Sequence, residues 1–183
     1  MGAGGLTALA AAAGAVLALA GGCGGDAPAA PPTNGAQARV DSVRDGDTIL
    51  LTSGLRVRLV QVDAPELASE CYGDEAARAL ERLAPRGATI RLEPDDALDR
   101  TDRHGRLLRY GHVAGRNLGL ELVRAGAAAP YFYRGTRGRY AQALEAAARR
   151  ARAGRLGLWG ACPSAMLEPT RPVTTGVARR AAR

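Results

Sequence analysis

Short apolar runs separated by turn residues dominate the sequence from Arg39 onward. The runs Arg39–Val43, Thr48–Thr52 and Leu55–Val62 are rich in β-branched and aliphatic residues and have the length of strands. Ser53 and Gly54 lie between the second run and the third, and this pair favours a tight turn. The pattern therefore predicts three consecutive strands.

Helical spacing of apolar residues follows. The first helical segment begins with the acidic pair Asp74 and Glu75 and is stopped by Pro85, and Asn117 is placed as the N-cap of the next. The later predicted elements are a helix over 74–84, strands Ala88–Glu93 and Leu107–Val113, and helices Asn117–Gly126 and Arg137–Ala153. Because these elements show no regular βαβ alternation, the pattern predicts an α+β fold.

The N-terminal segment differs from the rest of the chain. Residues 1–22 carry no charged side chain, and their apolar run Leu6–Ala20 suits a secretion signal better than a transmembrane helix. The stretch LALAGGC resembles a bacterial lipoprotein signal, which implies lipid attachment at Cys23. We expect an exported protein, either a lipoprotein on the outer side of the cell membrane or a secreted one. An uncleaved anchor is the remaining alternative.

Composition divides the remainder into three parts. Residues 23–38 are rich in Pro, Ala and Gly and predict a flexible linker. Residues 39–162 form the predicted folded domain. Residues 163–183 lack apolar periodicity and end in ARRAAR, so they predict a mobile basic tail. The sequence gives no sign of oligomers, and a monomer is the default expectation.

Charge and cysteine content add two expectations. The net charge of +7 favours polyanionic partners, either nucleic acid or an anionic membrane, although a generally basic surface with no particular partner is the alternative. Apart from Cys23, the chain has Cys71 and Cys162, an even number for an oxidising compartment. We expect these two to form one disulfide, the alternative being two free thiols.

A charge interrupts the third predicted strand. Arg58 has the same parity as Val60 and Val62, so the alternation places a guanidinium on an apolar face. A partly buried guanidinium needs an anionic partner or a bound phosphate, because an unpaired buried charge is strongly destabilising. The alternative is a strand buried on one side only, with Arg58 facing solvent.

Carboxylates gather at the predicted strand ends. Asp47 precedes the second strand within an Asp-Gly-Asp turn, while Asp63 and Glu66 flank a proline after the third. Clustered acids repel unless a cation or an arginine lies among them, and hard cations such as Ca²⁺ prefer oxygen ligands. Each group alone is compatible with an ordinary turn.

The loop TDRHGR at 101–106 adds three basic side chains around a glycine, and alone it is compatible with a solvated charged loop.

Taken together, these motifs resemble one family. The words DGDT, VRLVQVDAPE, YGDEA, TDRHGR and GLW occur in the order and with the spacing of the staphylococcal-nuclease-like (thermonuclease) family, over about Val40–Trp159. The resemblance implies a five-stranded OB-fold-type β-barrel with three α-helices. It also implies Ca²⁺-dependent hydrolysis of DNA and RNA phosphodiesters that leaves 3′-phosphate ends.

The resemblance also implies roles for individual residues. Asp47 and Asp63 match the metal-binding carboxylates, and the carbonyl of Ala64 matches a further ligand. Glu66 matches the carboxylate that activates water. Arg58 and Arg106 match the two arginines that bind the scissile phosphate. No small-molecule cofactor beyond one divalent cation is expected.

Further side chains are candidates for substrate binding. His104 stands where relatives often have tyrosine, and Arg103 keeps a positive charge before it. In the triplet Tyr131-Phe132-Tyr133, Tyr131 and Tyr133 offer rings for base stacking. The alternative is that at least one ring of the triplet packs in the core. Where many relatives have threonine, this chain has Ala64, and a backbone ligand survives that change.

Two other readings remain open. The first is a catalytically inactive nuclease-like domain that binds nucleic acid, another polyanion or a protein. The second is a surface lipoprotein whose basic domain binds anionic polymers or lipid headgroups.

Overall fold

The structure is a computed structural model that describes residues 1–2 and 35–176. Apart from the first two residues, the predicted signal peptide (1–22) lies outside the described residues, as do Cys23, most of the linker and the basic end 177–183. Within residues 1–2 and 35–176, no helix combines the length and the apolar character needed to cross a bilayer.

Strand pairing closes a barrel. The strands are β1 (Gln37–Val43), β2 (Thr48–Leu51), β3 (Arg56–Leu59), β4 (Val62–Asp63), β5 (Thr89–Glu93), β6 (Leu107–Val113), β7 (Arg116–Asn117) and β8 (Ala129–Pro130). The order β3-β2-β1-β5-β6-β7 is completed by a parallel pairing of β3 with β6, and the other pairings are antiparallel. Strands β1, β2, β3, β5 and β6 therefore form the closed barrel. The predicted five-stranded OB-fold-type α+β fold is confirmed.

The helices lie where the periodicity placed them, with different limits. They are α1 (Gly73–Leu83), α2 (Leu118–Arg124), α3 (Ala141–Ala153) and a single turn, α4 (Leu158–Ala161). Asn117 caps α2, because its side-chain oxygen accepts the N–H of Leu120 at 3.0 Å. Helix α3 begins four residues later than predicted. The N–H groups of Gly138 and Arg139 instead donate to the side chains of Gln61 and Asp95, which holds this segment out of a helix.

The barrel interior is aliphatic and tightly filled. Val40, Ile49, Val57, Ile90 and Leu92 each have 0% of their surface exposed. Helices α1 and α3 contribute mainly alanines to this core, which lets them approach the barrel closely. The alanine-rich composition is therefore compatible with a continuous core.

The third strand is shorter than predicted. Strand β3 ends at Leu59, and Gln61 adopts a left-handed conformation with φ of 63°. The Gln61 side chain donates to the carbonyl of Thr136 and accepts from the N–H of Gly138, which stabilises this turn. The predicted face shared by Arg58, Val60 and Val62 is therefore wrong beyond Leu59. Within β3 the alternation holds: Val57 and Leu59 are buried, while Arg58 lies on the opposite face and is partly covered.

The chain after Cys162 also differs from expectation. We call residues 163–176 the C-terminal strap. Val173 and Thr175 in the strap are 6% and 2% exposed, and the N–H of Phe132 donates to the carbonyl of Pro169 at 2.6 Å. The prediction of a mobile tail from residue 163 therefore does not hold for the strap, and the folded domain extends from Gln37 to Gly176. The strap lacks periodicity because other parts of the domain, rather than a helix or sheet, provide its partners.

A disulfide joins Cys71 to Cys162, 91 residues apart in sequence. It ties the loop before α1 to the end of α4. The same loop holds the strap, because the N–H of Cys71 donates to the carbonyl of Gly176 at 2.8 Å and its carbonyl accepts the hydroxyl of Thr175 at 2.6 Å. The disulfide, the loop and the strap thus form one connected region.

Candidate active site

Arg58 lies between two aspartates at the ends of β2 and β4. Its Nη2 atom is 2.9 Å from Asp47 Oδ2 and 2.6 Å from Asp63 Oδ1. Its Nη1 atom donates to the carbonyls of Leu59 and Val62, each at 2.7 Å. The Arg58 side chain is only 13% exposed. The anionic partners that its partial burial requires are therefore both present.

Two hydrogen bonds hold the Asp47 carboxylate in place. The N–H of Ala64 donates to Asp47 Oδ2 at 3.0 Å, and the hydroxyl of Thr48 donates to Asp47 Oδ1 at 3.2 Å. A Cβ at Gly46 would lie 2.5 Å from the Cβ of Ala64 and 2.8 Å from that of Ala76. Gly46 therefore allows the loop to approach both β4 and α1. This role was missed in the sequence, where Asp-Gly-Asp indicated only a turn.

We expect Gly46→Ala to destabilise the fold. The added methyl group must displace Ala64, and such overpacking costs about 1–3 kcal/mol. Urea unfolding measures this loss of stability. Adding Ala64→Gly should restore part of the loss, because the nearest clashing atom is then removed while Ala76 remains. A Gly46→Ala variant as stable as wild type would contradict this close approach.

Burial alters the charge states of the two aspartates. Burial raises the pKa of Asp47 to about 7; the positive charge of Arg58 opposes this rise, and the negative charges of Asp45 and Asp63 add to it. Burial also raises the pKa of Asp63, against the opposing effects of Arg58 and the N–H of Val173. One guanidinium thus does not fully offset the burial of two carboxylates. A further cation at this position would favour their ionised forms.

The donors suit a hard divalent cation. Asp47 and Asp63 present carboxylate oxygens, and the backbone of Ala64 lies beside Asp47. Oxygen ligands of this kind are those that Ca²⁺ prefers. Among the residues that the structure describes, there is no cluster of three or more acidic, histidine or cysteine side chains with metal-site geometry. The side-chain ligands would therefore be the two aspartates alone, with the Ala64 carbonyl and water as the other donors.

Glu66 lies in the turn that follows β4, and its side chain is exposed. Its backbone is fixed, since its N–H donates to the carboxylate of Glu70 at 2.9 Å and its carbonyl accepts the N–H groups of Ser69 and Glu70. The turn that follows Pro65 therefore holds the backbone and leaves the Glu66 carboxylate open to water.

A second arginine reaches the site from the loop before β6. Arg106 Nη1 lies 3.4 Å from the hydroxyl of Thr48, which itself donates to Asp47. Asp102 orients Arg106, accepting Nε at 2.6 Å and the backbone N–H at 3.0 Å. Burial raises the pKa of Asp102, but the hydrogen bonds from Arg106 and His104 outweigh it, so its pKa is lowered overall. Asp102 was missed in the sequence, although an acid four residues before Arg106 is a usable signal.

The remaining predicted residues lie in two groups. Arg103 and His104 are exposed together on the Arg106 loop, and the carbonyl of His104 accepts Arg56 Nη2 at 3.0 Å. Tyr131 is half-buried, and its backbone N–H donates to the carbonyl of Gln61 at 3.0 Å. Burial raises the pKa of its hydroxyl, and the negative charge of Asp63 adds to this rise. The ring of Tyr133 is 54% exposed, 6.5 Å from that of Tyr131. Phe132, between them, is buried in the core.

Comparison with known proteins gives a consistent result. The staphylococcal nuclease homologue family matches residues 56–161. An uncharacterized endonuclease of Haemophilus influenzae is 34% identical over 125 residues, which cover 66% of this chain and 65% of that protein. Endonuclease YncB and the SPbeta prophage-derived endonuclease YokF, both of Bacillus subtilis, are each 30% identical over 128 residues. These matches cover 66% of this chain and 60% and 43% of the two relatives.

The chain therefore spans less than two thirds of the length of each of these relatives. The family match covers more than half of the chain and includes β3, the turn at Glu66, the Arg106 loop and the three longer helices. The closed barrel agrees with that match. This protein belongs to the staphylococcal nuclease homologue family.

Proposed function

We propose that the protein is a Ca²⁺-dependent endonuclease that hydrolyses phosphodiester bonds of DNA, RNA or both. The observation that carries the proposal is the placement of Arg58 against Asp47 and Asp63, with Arg106 linked to the same group through Thr48. Three relatives carry the name endonuclease, which supports the same activity.

The two arginines supply fixed positive charge. A phosphodiester is an anion, and negative charge accumulates on its equatorial oxygens in the transition state. Arg58 is held by two carboxylates and two carbonyls, and Arg106 is held by Asp102, so neither guanidinium needs to be ordered during the reaction. Fixed donors of this kind typically contribute a few kcal/mol to lowering the barrier.

The carboxylates have two separate roles, cation binding and water activation. Asp47, Asp63 and the Ala64 carbonyl would hold Ca²⁺, which when bound neutralises charge on the phosphate oxygens. Glu66 accepts the proton of the attacking water as the general base. Its exposed carboxylate and the turn after Pro65 support this role, because water reaches the side chain while its backbone stays fixed.

Basic and aromatic side chains would bind the nucleic acid beyond the reacting phosphate. Arg103 and His104 lie on the Arg106 loop, where they can contact neighbouring phosphates or bases. Tyr131 and Tyr133 provide rings on which bases can stack. The net charge of +7 strengthens the attraction to any polynucleotide.

A second function has one observation in its favour. The Nη1 and Nη2 atoms of Arg58 already contact two carbonyls and two carboxylates of the protein itself. This arrangement also suits a nuclease-like domain that binds nucleic acid without cutting it. Such a binder would use the exposed arginines and tyrosines alone.

One assay separates the two functions. The purified protein is incubated with plasmid DNA, single-stranded DNA and RNA, first with Ca²⁺ and then with EDTA. We expect cleavage in Ca²⁺ and none in EDTA, because the aspartate pair needs the cation to hold the phosphate. A mobility shift without cleavage in Ca²⁺ would contradict the endonuclease and support the binder.

A further inference from the structure

The C-terminal strap contacts the aspartate pair directly. The backbone N–H of Val173 donates to Asp63 Oδ2 at 2.8 Å, while Arg58 holds the other oxygen, Oδ1, at 2.6 Å. Each oxygen of this carboxylate thus has its own donor. One donor is the Arg58 side chain of β3, and the other belongs to Val173, 110 residues after Asp63 in the chain.

The strap is fixed on both sides of Val173. Before it, the carbonyl of Pro169 accepts the N–H of Phe132, whose ring is buried in the core. After it, Thr175 donates to the carbonyl of Cys71 and accepts from the hydroxyl of Ser164 at 2.8 Å, and Gly176 accepts from the N–H of Cys71. The Val173 and Thr175 side chains are themselves buried. The N–H of Val173 therefore has a defined position.

The strap lies outside the region that the family match covers, which ends at residue 161. Its contact with Asp63 thus adds to the site described above. A carboxylate has about four lone-pair sites, so one hydrogen bond to each oxygen leaves capacity for a cation. A neutral N–H orients the group without adding charge that would repel a cation. Partners of this type typically change metal affinity by about 10–100-fold.

We propose that the Val173 N–H is a positioning group that orients Asp63 for the divalent cation, so that the functional site requires the chain to Gly176. This inference rests on the proposed function, because it takes Asp63 as a metal ligand. Val173 contributes its backbone donor to the site, and its side chain contributes only burial.

Three variants separate the donor from the rest of the strap. Val173→Pro removes the N–H, Val173→Ala keeps the N–H and trims the buried side chain, and Thr174→Pro adds a proline at the exposed neighbouring residue while keeping the Val173 N–H. Ca²⁺ binding is measured by titration calorimetry, and thermal unfolding in EDTA is measured alongside.

We expect Val173→Pro to weaken Ca²⁺ binding about 10–100-fold, as is typical for loss of such a partner. Val173→Ala and Thr174→Pro should stay close to wild type in Ca²⁺ affinity, even if their unfolding temperatures fall. Equal Ca²⁺ affinity of Val173→Pro and Thr174→Pro would overturn the positioning role, and so would tighter binding by Val173→Pro.

Two further outcomes keep the inference distinct from the proposed function. If wild type binds Ca²⁺ and cleaves but Val173→Pro binds equally well, only the positioning role fails. If wild type binds no Ca²⁺, both fail. Should Val173→Pro not fold, an amide-to-ester replacement at residue 173, made by semisynthesis, removes the N–H with little change in shape, and unaltered Ca²⁺ affinity of this ester overturns the positioning role.

Discussion

Replacing Arg58 with lysine should slow phosphodiester cleavage by a factor on the order of 10²–10³ while the barrel stays folded. Lysine keeps a positive charge beside Asp47 and Asp63, so the buried carboxylates retain a partner. It loses the planar fork that a guanidinium presents to a phosphate, because an ammonium group is a compact charge without that geometry. Single-turnover cleavage rates at saturating Ca²⁺, with circular dichroism for the fold, measure the two effects separately.

Arg106→Lys and Glu66→Gln should lose activity to a similar extent, since the first removes the other fork and the second removes the proposed general base. Arg78→Lys is the matched control, because Arg78 is an exposed residue of α1 that forms an ion pair with Glu75 on the same helix. We expect the control to cleave at the wild-type rate. Wild-type turnover in Arg58→Lys, Arg106→Lys and Glu66→Gln together would disprove the assignment of the site.

Arg58→Ala, by contrast, should lose activity and stability together. Truncation leaves two carboxylates, each less than one fifth exposed, without their shared partner. Breaking a buried ion pair in this way typically costs about 3–5 kcal/mol, and protonation of Asp47, whose pKa burial raises to about 7, reduces that cost. The lysine variant is therefore the better test of catalysis.

Removing the disulfide should produce the largest loss of stability. Cys71 and Cys162 are 91 positions apart in sequence, and for a loop of this size the chain-entropy model gives a stabilisation of about 4–5 kcal/mol. For a domain of this size, a loss of that magnitude lowers the unfolding temperature by roughly 10–20 °C. The double variant Cys71→Ser/Cys162→Ser, unfolded by heat and by urea, measures it.

The same variant should also weaken Ca²⁺ binding, because Cys71 holds the strap through its backbone N–H and carbonyl. Cys23→Ser is the control, since Cys23 lies outside the bridge and the variant keeps the disulfide. An unfolding temperature within about 3 °C of wild type corresponds to a change of less than about 1 kcal/mol in the free energy of unfolding. Such a result would show that the bridge contributes little to stability.

Local chemistry made part of the site predictable. The position of Arg58 within an apolar run required an anionic partner, and Asp47 and Asp63 were the acids at neighbouring strand ends. Asn117 was predictable as a cap, because its side chain and the apolar periodicity after it act over only a few residues. The closed barrel itself came from the family resemblance, since the pairing of β3 with β6 joins residues 50 positions apart.

Contacts between distant segments explain what the sequence did not reveal. The break in the third strand depends on Gln61, whose side chain is bonded to residues 136 and 138. The late start of α3 has a related cause, because the N–H of Gly138 donates to the Gln61 side chain instead of entering a helix. The position of the strap depends on isolated hydrogen bonds with Cys71, Phe132 and Asp63, none of which leaves a periodic pattern in the sequence. The role of Gly46 was not predictable either, because it depends on the close approach of Ala64 and Ala76, which are distant in sequence.

The parallel pairing of β3 with β6 determines when the candidate site assembles during folding. Arg58 lies in β3, and Arg106 immediately precedes β6, so the two arginines of the proposed site come together only when this pairing forms. On the proposed function, an unfolded or half-folded chain would have no assembled site and could not cut the nucleic acid of the cell that makes it. If the predicted signal sequence directs export of the unfolded chain, the proposed nuclease would become active only where the barrel closes.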